Sequence, residues 1–368
     1  MSAANEARNN SWRIKIAAVV ENKMKNMSVV GWVSGLVTLF LATTGCIIEQ
    51  ADGGGASGGG SSSTGEGGAG GDGPDSGTQL FVLSRNLGIA SFASAETASG
   101  RVEAKTLLNA GPDTGMYGPR DLEIDNQNTL YVASENDGAI VMYASADDAT
   151  GVVAPSRRLA GELTGIVSPV ALALDRDKDV LYVVNSGSLG SVDTDILVFE
   201  GASELHGDVA PSRVIEPEVP GFSPLALEFR NNTLYAITQT TNASAIAVFE
   251  GAHEALGAVA PTLTIEPFGP AAALHVDADG RVVVVDEGAS AFVFDAGETE
   301  ARAVLEVEGA SRLSGVHALS NGTYLFTDGS LNLVFALDDG VPETSGSIAP
   351  TRSFDAVEIL LPGPLTSP

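Results

Sequence analysis

Positive charge, sulfur and aromatic rings are scarce in this chain of 368 residues, and each scarcity closes off a class of function. Lysine and arginine number 19 against 47 aspartates and glutamates, for a net charge of −28. A surface that acidic repels phosphate backbones, which excludes nucleic acid as a partner. One cysteine and four histidines are too few for a disulfide framework or a Cys/His zinc site. Aromatic residues are 6% of the chain, and no Gly-x-Ser-x-Gly nucleophile motif occurs. Hydrophobic residues still make up 44%, enough for a large core, so disorder throughout is excluded.

The N-terminus carries an address. From Met27 to Cys46 the chain reads MSVVGWVSGLVTLFLATTGC, uncharged and largely apolar, behind Lys23 and Lys25. A basic start, an apolar middle and small residues before a cut site describe a secretory signal. Leu41-Ala42-Thr43-Thr44-Gly45-Cys46 resembles the lipobox of bacterial lipoproteins, although Thr43 stands where that pattern carries leucine. The resemblance implies cleavage after Gly45, a lipid (palmitate) on Cys46 and attachment to the cell envelope. The implied location is the outer membrane, facing periplasm or cell surface. An uncleaved membrane helix is the alternative, since about 18 apolar residues can just span a bilayer. Residues 1–45 are thus expected to be the signal, with Met24 or Met27 as alternative starts. Residues 51–77 are almost pure Gly, Ser and Asp, a composition that behaves as a random coil. With no strand before it and no Gly-Lys-Ser/Thr after it, this glycine run is not a phosphate loop. Residues 46–77 read as a disordered tether.

Beyond Gly77 one unit repeats six times. Its hydrophobic strand recurs as Leu80–Leu83, Leu130–Ala133, Leu181–Val184, Leu234–Ile237, Val282–Val285 and Tyr324–Thr327. A small polar residue follows each copy, a type that starts turns by bonding its own backbone. A second strand then ends on an aromatic: Phe92, Tyr143, Phe199, Phe249, Phe294 or Phe335. One large ring per unit supplies that unit's share of core. Ala-Pro-Ser/Thr at Pro155, Pro211, Pro261 and Pro350 opens a third, outer strand, where an edge need not donate a hydrogen bond. Alternating stretches such as Ala171–Leu174 precede each repeat and supply a fourth. Four strands in about 48 residues make one propeller blade. The expected fold is all-β, a six-bladed β-propeller of four-stranded blades over 78–368. Only linker precedes Leu80, so the first blade needs its innermost strand from the C-terminus. Either 356–361 or Pro364–Ser367 is expected beside Leu80–Leu83, leaving a weak or missing inner strand there.

The pattern Pro-x-x-Leu-x-Ile/Leu-Asp, then Leu-Tyr-Val, then Ile-x-Val-Phe, resembles the NHL-type repeats of bacterial six-bladed propellers. That architecture hosts binders, scaffolds, lactonases and lyases alike. Unit five departs from the pattern, with Glu300-Ala301-Arg302-Ala303-Val304 in place of the Pro-containing strand.

Candidate ligand or metal residues come from the inner strands. Aligning the units puts Asp121, Ala171, Ala226 and Ala273 in one register and Glu123, Ala173, Glu228 and His275 in the next alternate one, with unit six ambiguous around His317. Carboxylates and an imidazole from three blades could meet on a metal or serve as acid and base. Alanine at half of these positions fits a merely packed channel equally well. Asp175, Asp177 and Asp179 have calcium-loop spacing, but Val180 and Ser186 replace the required Gly and Glu, so a solvated hairpin turn is expected. His206 and His253 lie in equivalent loops and are expected at the surface, away from the inner strands.

The sequence therefore points to a monomeric, lipid-anchored extracytoplasmic propeller that binds a protein or glycan, with no cofactor and no catalytic set. The alternative is a Ca2+-dependent hydrolase or lactonase with its site near Glu123, Glu228 and His275.

Overall fold

The computed structural model of the chain describes residues 78–186, 194–239, 244–355, 359 and 362–368, the side chains of Pro267 and Phe268 aside. The leader, Cys46 and the tether lie outside the described residues. No helix among the described residues is long and apolar enough to cross a membrane. The strands form six sheets, the blades of a β-propeller.

Each blade runs antiparallel from an inner strand to an outer one. In the third these are Pro169–Asp175, Val180–Asn185, Ile196–Glu200 and Arg213–Pro217. Tyr182 sits opposite Ala173 on one side and Val198 on the other. The second strand of each blade is a continuous apolar run because neighbouring blades bury both of its faces. Accordingly the described core falls into separate clusters, each shared by two adjacent blades. Between the third and fourth, Tyr182 and Val184 meet Phe222, Leu234 and Phe249. Each blade contributes half a core on each side, so none is stable alone.

The six repeat aromatics are all buried. Five share one register, opposite Leu80, Leu130, Leu181, Leu234 and Val282. The sixth departs from the expected alignment: Leu337 holds that place, and Phe335 lies two residues earlier, opposite Phe326. An even offset keeps Phe335 on the same sheet face. The position it vacates faces Tyr324 rather than an aliphatic residue, so a ring still fills that end.

Outer strands begin two residues later than the Ala-Pro motif suggests, at Arg157, Arg213, Leu263 and Arg352. The residue after each proline makes the first bond instead, as when Ser212 N donates to Val198 O at 2.8 Å. The arginine then crosses to the next blade. Arg213 Nη1 donates to Ala252 O at 3.1 Å and Ala255 O at 2.8 Å, and Arg157 donates likewise to Ala202 and Leu205. Arg352 Nη1 reaches Ala98 O at 2.7 Å across the ring closure. These pins explain the recurring Pro-Ser/Thr-Arg. Arg213→Ala should cost about 1.5–3 kcal/mol, the worth of hydrogen bonds from a charged donor. Arg213→Lys should not recover it, because an ammonium lacks the planar fork. Urea unfolding checks both, and a full rescue by lysine would refute the pin.

The ring closes through its C-terminus. Pro362–Thr366 is the inner strand of the first blade, with Phe81 opposite Thr366 and Val82 opposite Leu365. The expected weak or missing strand is corrected: it has five residues, as many as Leu80–Ser84 beside it. It begins before Pro364 because a bulge between Val82 and Ser84 absorbs the shift and brings Pro362 into pairing. The other candidate segment, 356–361, lies outside the described residues except Ile359, which is buried between the first and sixth blades.

Candidate functional site

Inner strands of all six blades line a central channel with a cavity of about 670 Å3. The second strands prove the register. Glu123, Ala173, Glu228 and His275 pair with Tyr131, Tyr182, Tyr235 and Val283, the same step in each blade. Unit six is no longer ambiguous, since His317 takes that place opposite Leu325. In blade one Thr366 takes it opposite Phe81.

Two of the candidates meet. His275 Nδ1 lies 3.4 Å from Glu228 Oε1, and the His275 ring lies 4.9 Å, centroid to centroid, from that of His317. His317 Nε2 in turn bonds Ser367 Oγ at 2.8 Å. Burial, then the neighbouring His275, Arg176 and Arg230, hold the His317 imidazole well below its ordinary range, so it stays neutral. Glu123 is held elsewhere, with Oε2 3.8 Å from Arg176 Nη2. That guanidinium also donates to Ser367 O at 2.9 Å, joining the second, third and first blades. Asp121 turns to the backbone: its Oδ2 accepts from Leu172 N at 2.8 Å and its Oδ1 from Leu122 N at 2.9 Å. Among the described residues no group of three or more His, Cys, Asp or Glu is placed to hold a metal ion.

Desolvation dominates the channel acids. Burial pushes Asp121 up to about 7 against the pull of its two amides. Burial also pushes Glu123 up to about 8, opposed by Arg176 and reinforced by Glu228 and Asp121. Near neutral pH the Glu123 carboxyl therefore carries a proton and can donate as well as accept. A raised carboxyl binds its proton more tightly folded than unfolded. Its stabilising contribution is present below the ordinary carboxylate range and is lost as pH rises through the folded value. For Glu123 that window runs from 4.5 to about 8. The melting temperature of Glu123→Gln relative to wild type should thus improve from about pH 5 to about pH 8 and then level off. A constant difference across that range contradicts the shift.

The aspartate closing the inner strand in three units is structural. Asp125, Asp175 and Asp277 each use Oδ1 to cap the following turn, at Gln127 N (2.8 Å), Asp177 N (3.1 Å) and Asp279 N (3.0 Å). The second oxygen takes a hydrogen bond from Tyr131 Oη at 3.1 Å, His253 Nε2 at 2.6 Å and Tyr324 Oη at 2.8 Å respectively. Asp175, Asp177 and Asp179 accordingly form a hairpin turn in which Asp179 bonds Ser203. The expectation that this turn is solvated is corrected for Asp175, which is buried. The surface placement of His253 is corrected as well. Its ring bonds Asp175 at the end of an inner strand, receives Lys178 Nζ at 2.9 Å on Nδ1, and lies against Phe229. The neighbouring blade's loop carries it there, a contact between residues far apart in sequence. His206 is exposed, as expected. Sequence reasoning missed Arg176 and left His317 unplaced; the register of His317 was the available signal, and Arg176 had none.

No protein-family model matches the chain, and no curated protein matches it. Among solved structures, a chain of a nidogen/laminin complex is similar over 79% of this chain and 98% of its own length, at 16% identity and a TM-score of 0.57. The WD40 β-propeller domain of Doa1 is similar over 60% of this chain and 64% of its own, at 8% identity and a TM-score of 0.42. The first likeness agrees with the sheet order: the chain is a six-bladed β-propeller. At such identity it speaks for the fold alone.

Proposed function

We propose that this propeller is a lipid-anchored, extracytoplasmic binding or scaffold module for a protein or glycan partner, of the NHL-like kind, and does not catalyse a reaction. The observation that carries the reading is that the channel side chains already have partners. Glu123 is spent on Arg176, Asp121 on two backbone amides and Glu228 on His275. A catalytic set instead needs groups converging on one vacant reacting position. The proton-bearing Glu123 carboxyl and the neutral His317 imidazole suit hydroxyl-rich or peptide ligands, which exchange hydrogen bonds without bringing charge. The neighbour of similar fold, from a nidogen/laminin complex, belongs to a protein–protein assembly, so the fold is compatible with such a use. The anchor rests on the signal pattern ending at Cys46.

Two measurements on the full-length protein test this. Cys46→Ser should move the protein from the membrane to the soluble fraction; retention there in unprocessed form would mean a membrane helix. Metal analysis should find no stoichiometric calcium, and chelator should leave the melting temperature unchanged. Tightly held calcium whose removal lowers that temperature would overturn the reading in favour of a calcium-dependent hydrolase or lactonase.

A further inference from the structure

Five of the six outer strands are themselves covered. Each pairs in parallel with a short segment that begins at a glycine six residues ahead of the next blade's outer strand. Leu108 pairs with Gly151, Leu159 with Gly207, and Ile215–Pro217 with Gly257–Val259. Leu305–Val307 pairs with Gly346–Ile348, and Phe354–Asp355 with Gly100–Arg101. The fourth blade's outer strand, Leu263–Phe268, repeats the Ile-Glu-Pro of the third at Ile265–Pro267. Gly297 likewise stands six residues ahead of Ala303, where the next outer strand begins. Yet among the described residues nothing pairs with this edge.

The cause is a shortened loop. Phe92, Tyr143, Phe199 and Phe249 stand eight positions ahead of the glycine that begins the covering segment (Gly100, Gly151, Gly207 and Gly257), whereas Phe294 stands three ahead of Gly297. The missing residues are those that carry the chain across to the neighbouring blade's edge. An uncovered strand edge is a template for another chain, and folds usually shield it.

We infer that the outer edge of the fourth blade is a docking site for an extended, basic segment of a partner protein, added as a parallel strand beside Ile265–Pro267. The five covered edges show what fits: a glycine, then small and β-branched residues, as in Gly257-Ala258-Val259 and Gly346-Ser347-Ile348. Pro267 is no obstacle, because Pro217 occupies the same place in a paired strand. The charge of the occupant follows from the edge. Glu266 is exposed on the strand, Glu298 and Glu300 are exposed on the shortened loop, and the chain as a whole is at −28. Lysine or arginine beside Glu266 is therefore favoured, while a second copy of this acidic chain would be repelled. Strand addition takes its affinity from the backbone and its selectivity from such flanking side chains. The surface lies on the outermost strand, separate from the channel, so the inference goes beyond the channel reading and survives its failure.

The test uses the full-length protein and a labelled synthetic peptide, KKGSIAPK, patterned on the covering segments. Binding read by fluorescence anisotropy should be accompanied by slowed hydrogen exchange confined to Leu263–Phe268. Glu266→Lys should weaken binding about fivefold, the worth of one exposed ion pair, and should favour a glutamate-flanked version of the peptide. Replacing Asp295-Ala296 with the longer stretch Glu250–Leu256 should cover the edge from within, slow its exchange without peptide and abolish binding. Absence of binding to wild type at millimolar peptide would overturn the inference, as would protection elsewhere or affinity indifferent to Glu266→Lys. Protection, in wild type without peptide, of those Leu263–Phe268 amides that face away from the paired strand Ser244–Glu250 would also overturn it, since the edge would then be occupied by this chain or a second copy.

Discussion

Removing residues 362–368 should unfold the whole propeller, not loosen one blade. The segment is the inner strand of the first blade, and it also binds the sixth. Ser314 Oγ donates to Pro362 O at 2.6 Å and Thr327 Oγ1 to Gly363 O at 2.9 Å. His317, also of the sixth blade, and Arg176 of the third reach Ser367. Loss of a buried leucine contributes about 1.5–3 kcal/mol and each ladder or side-chain bond about 0.5–1.5 kcal/mol. Together these reach the roughly 5–15 kcal/mol by which a domain is stable at all. An opened ring also leaves backbone unpaired on the first blade and exposes half a core on each side of the gap. Circular dichroism of the truncated protein should therefore show no cooperative melt near the wild-type temperature. An unchanged melting temperature would mean that the C-terminus does not close the ring. A point variant gives the milder version of the same test. A Cβ on Gly315 would lie 2.5 Å from Gly363 O and 2.6 Å from Thr327 Oγ1, too close without displacing the clasp strand. Gly315→Ala should accordingly lower the melting temperature more than alanine at an exposed glycine such as Gly346, where an added Cβ meets nothing within 4 Å.

The second large effect belongs to the repeat aromatics. Phe249 is fully buried between the third and fourth blades, edge-on to Phe222 at 6.4 Å between ring centroids. Phe199 fills the equivalent place between the second and third. Truncating a buried phenylalanine removes its transfer energy and leaves a cavity, so Phe199→Ala and Phe249→Ala should each cost about 3–5 kcal/mol in urea unfolding. The cost should appear as loss of global stability, because each cluster welds two blades and neither folds without the other. A loss below about 1 kcal/mol at both sites would contradict the inter-blade packing.

The sequence by itself determined the repeat, the four-stranded blade and the need for a C-terminal clasp. These follow from local periodicity: alternation sets which residues pair, and each blade must bring its own large ring and turn residues. Alignment of the units also placed Glu123, Glu228 and His275 correctly in one register, because equivalent strands pair at equivalent steps. It faltered where a unit substitutes one solution for another, as at Phe335, where Tyr324 on the facing strand supplies the ring. Only the tertiary structure decided which charges meet. Arg176 finds Glu123 and Ser367, His275 finds Glu228 and His317, and His253 finds Asp175, each across a blade boundary. No local pattern encodes those contacts, since they join residues up to 191 positions apart that the closing of the ring alone brings face to face.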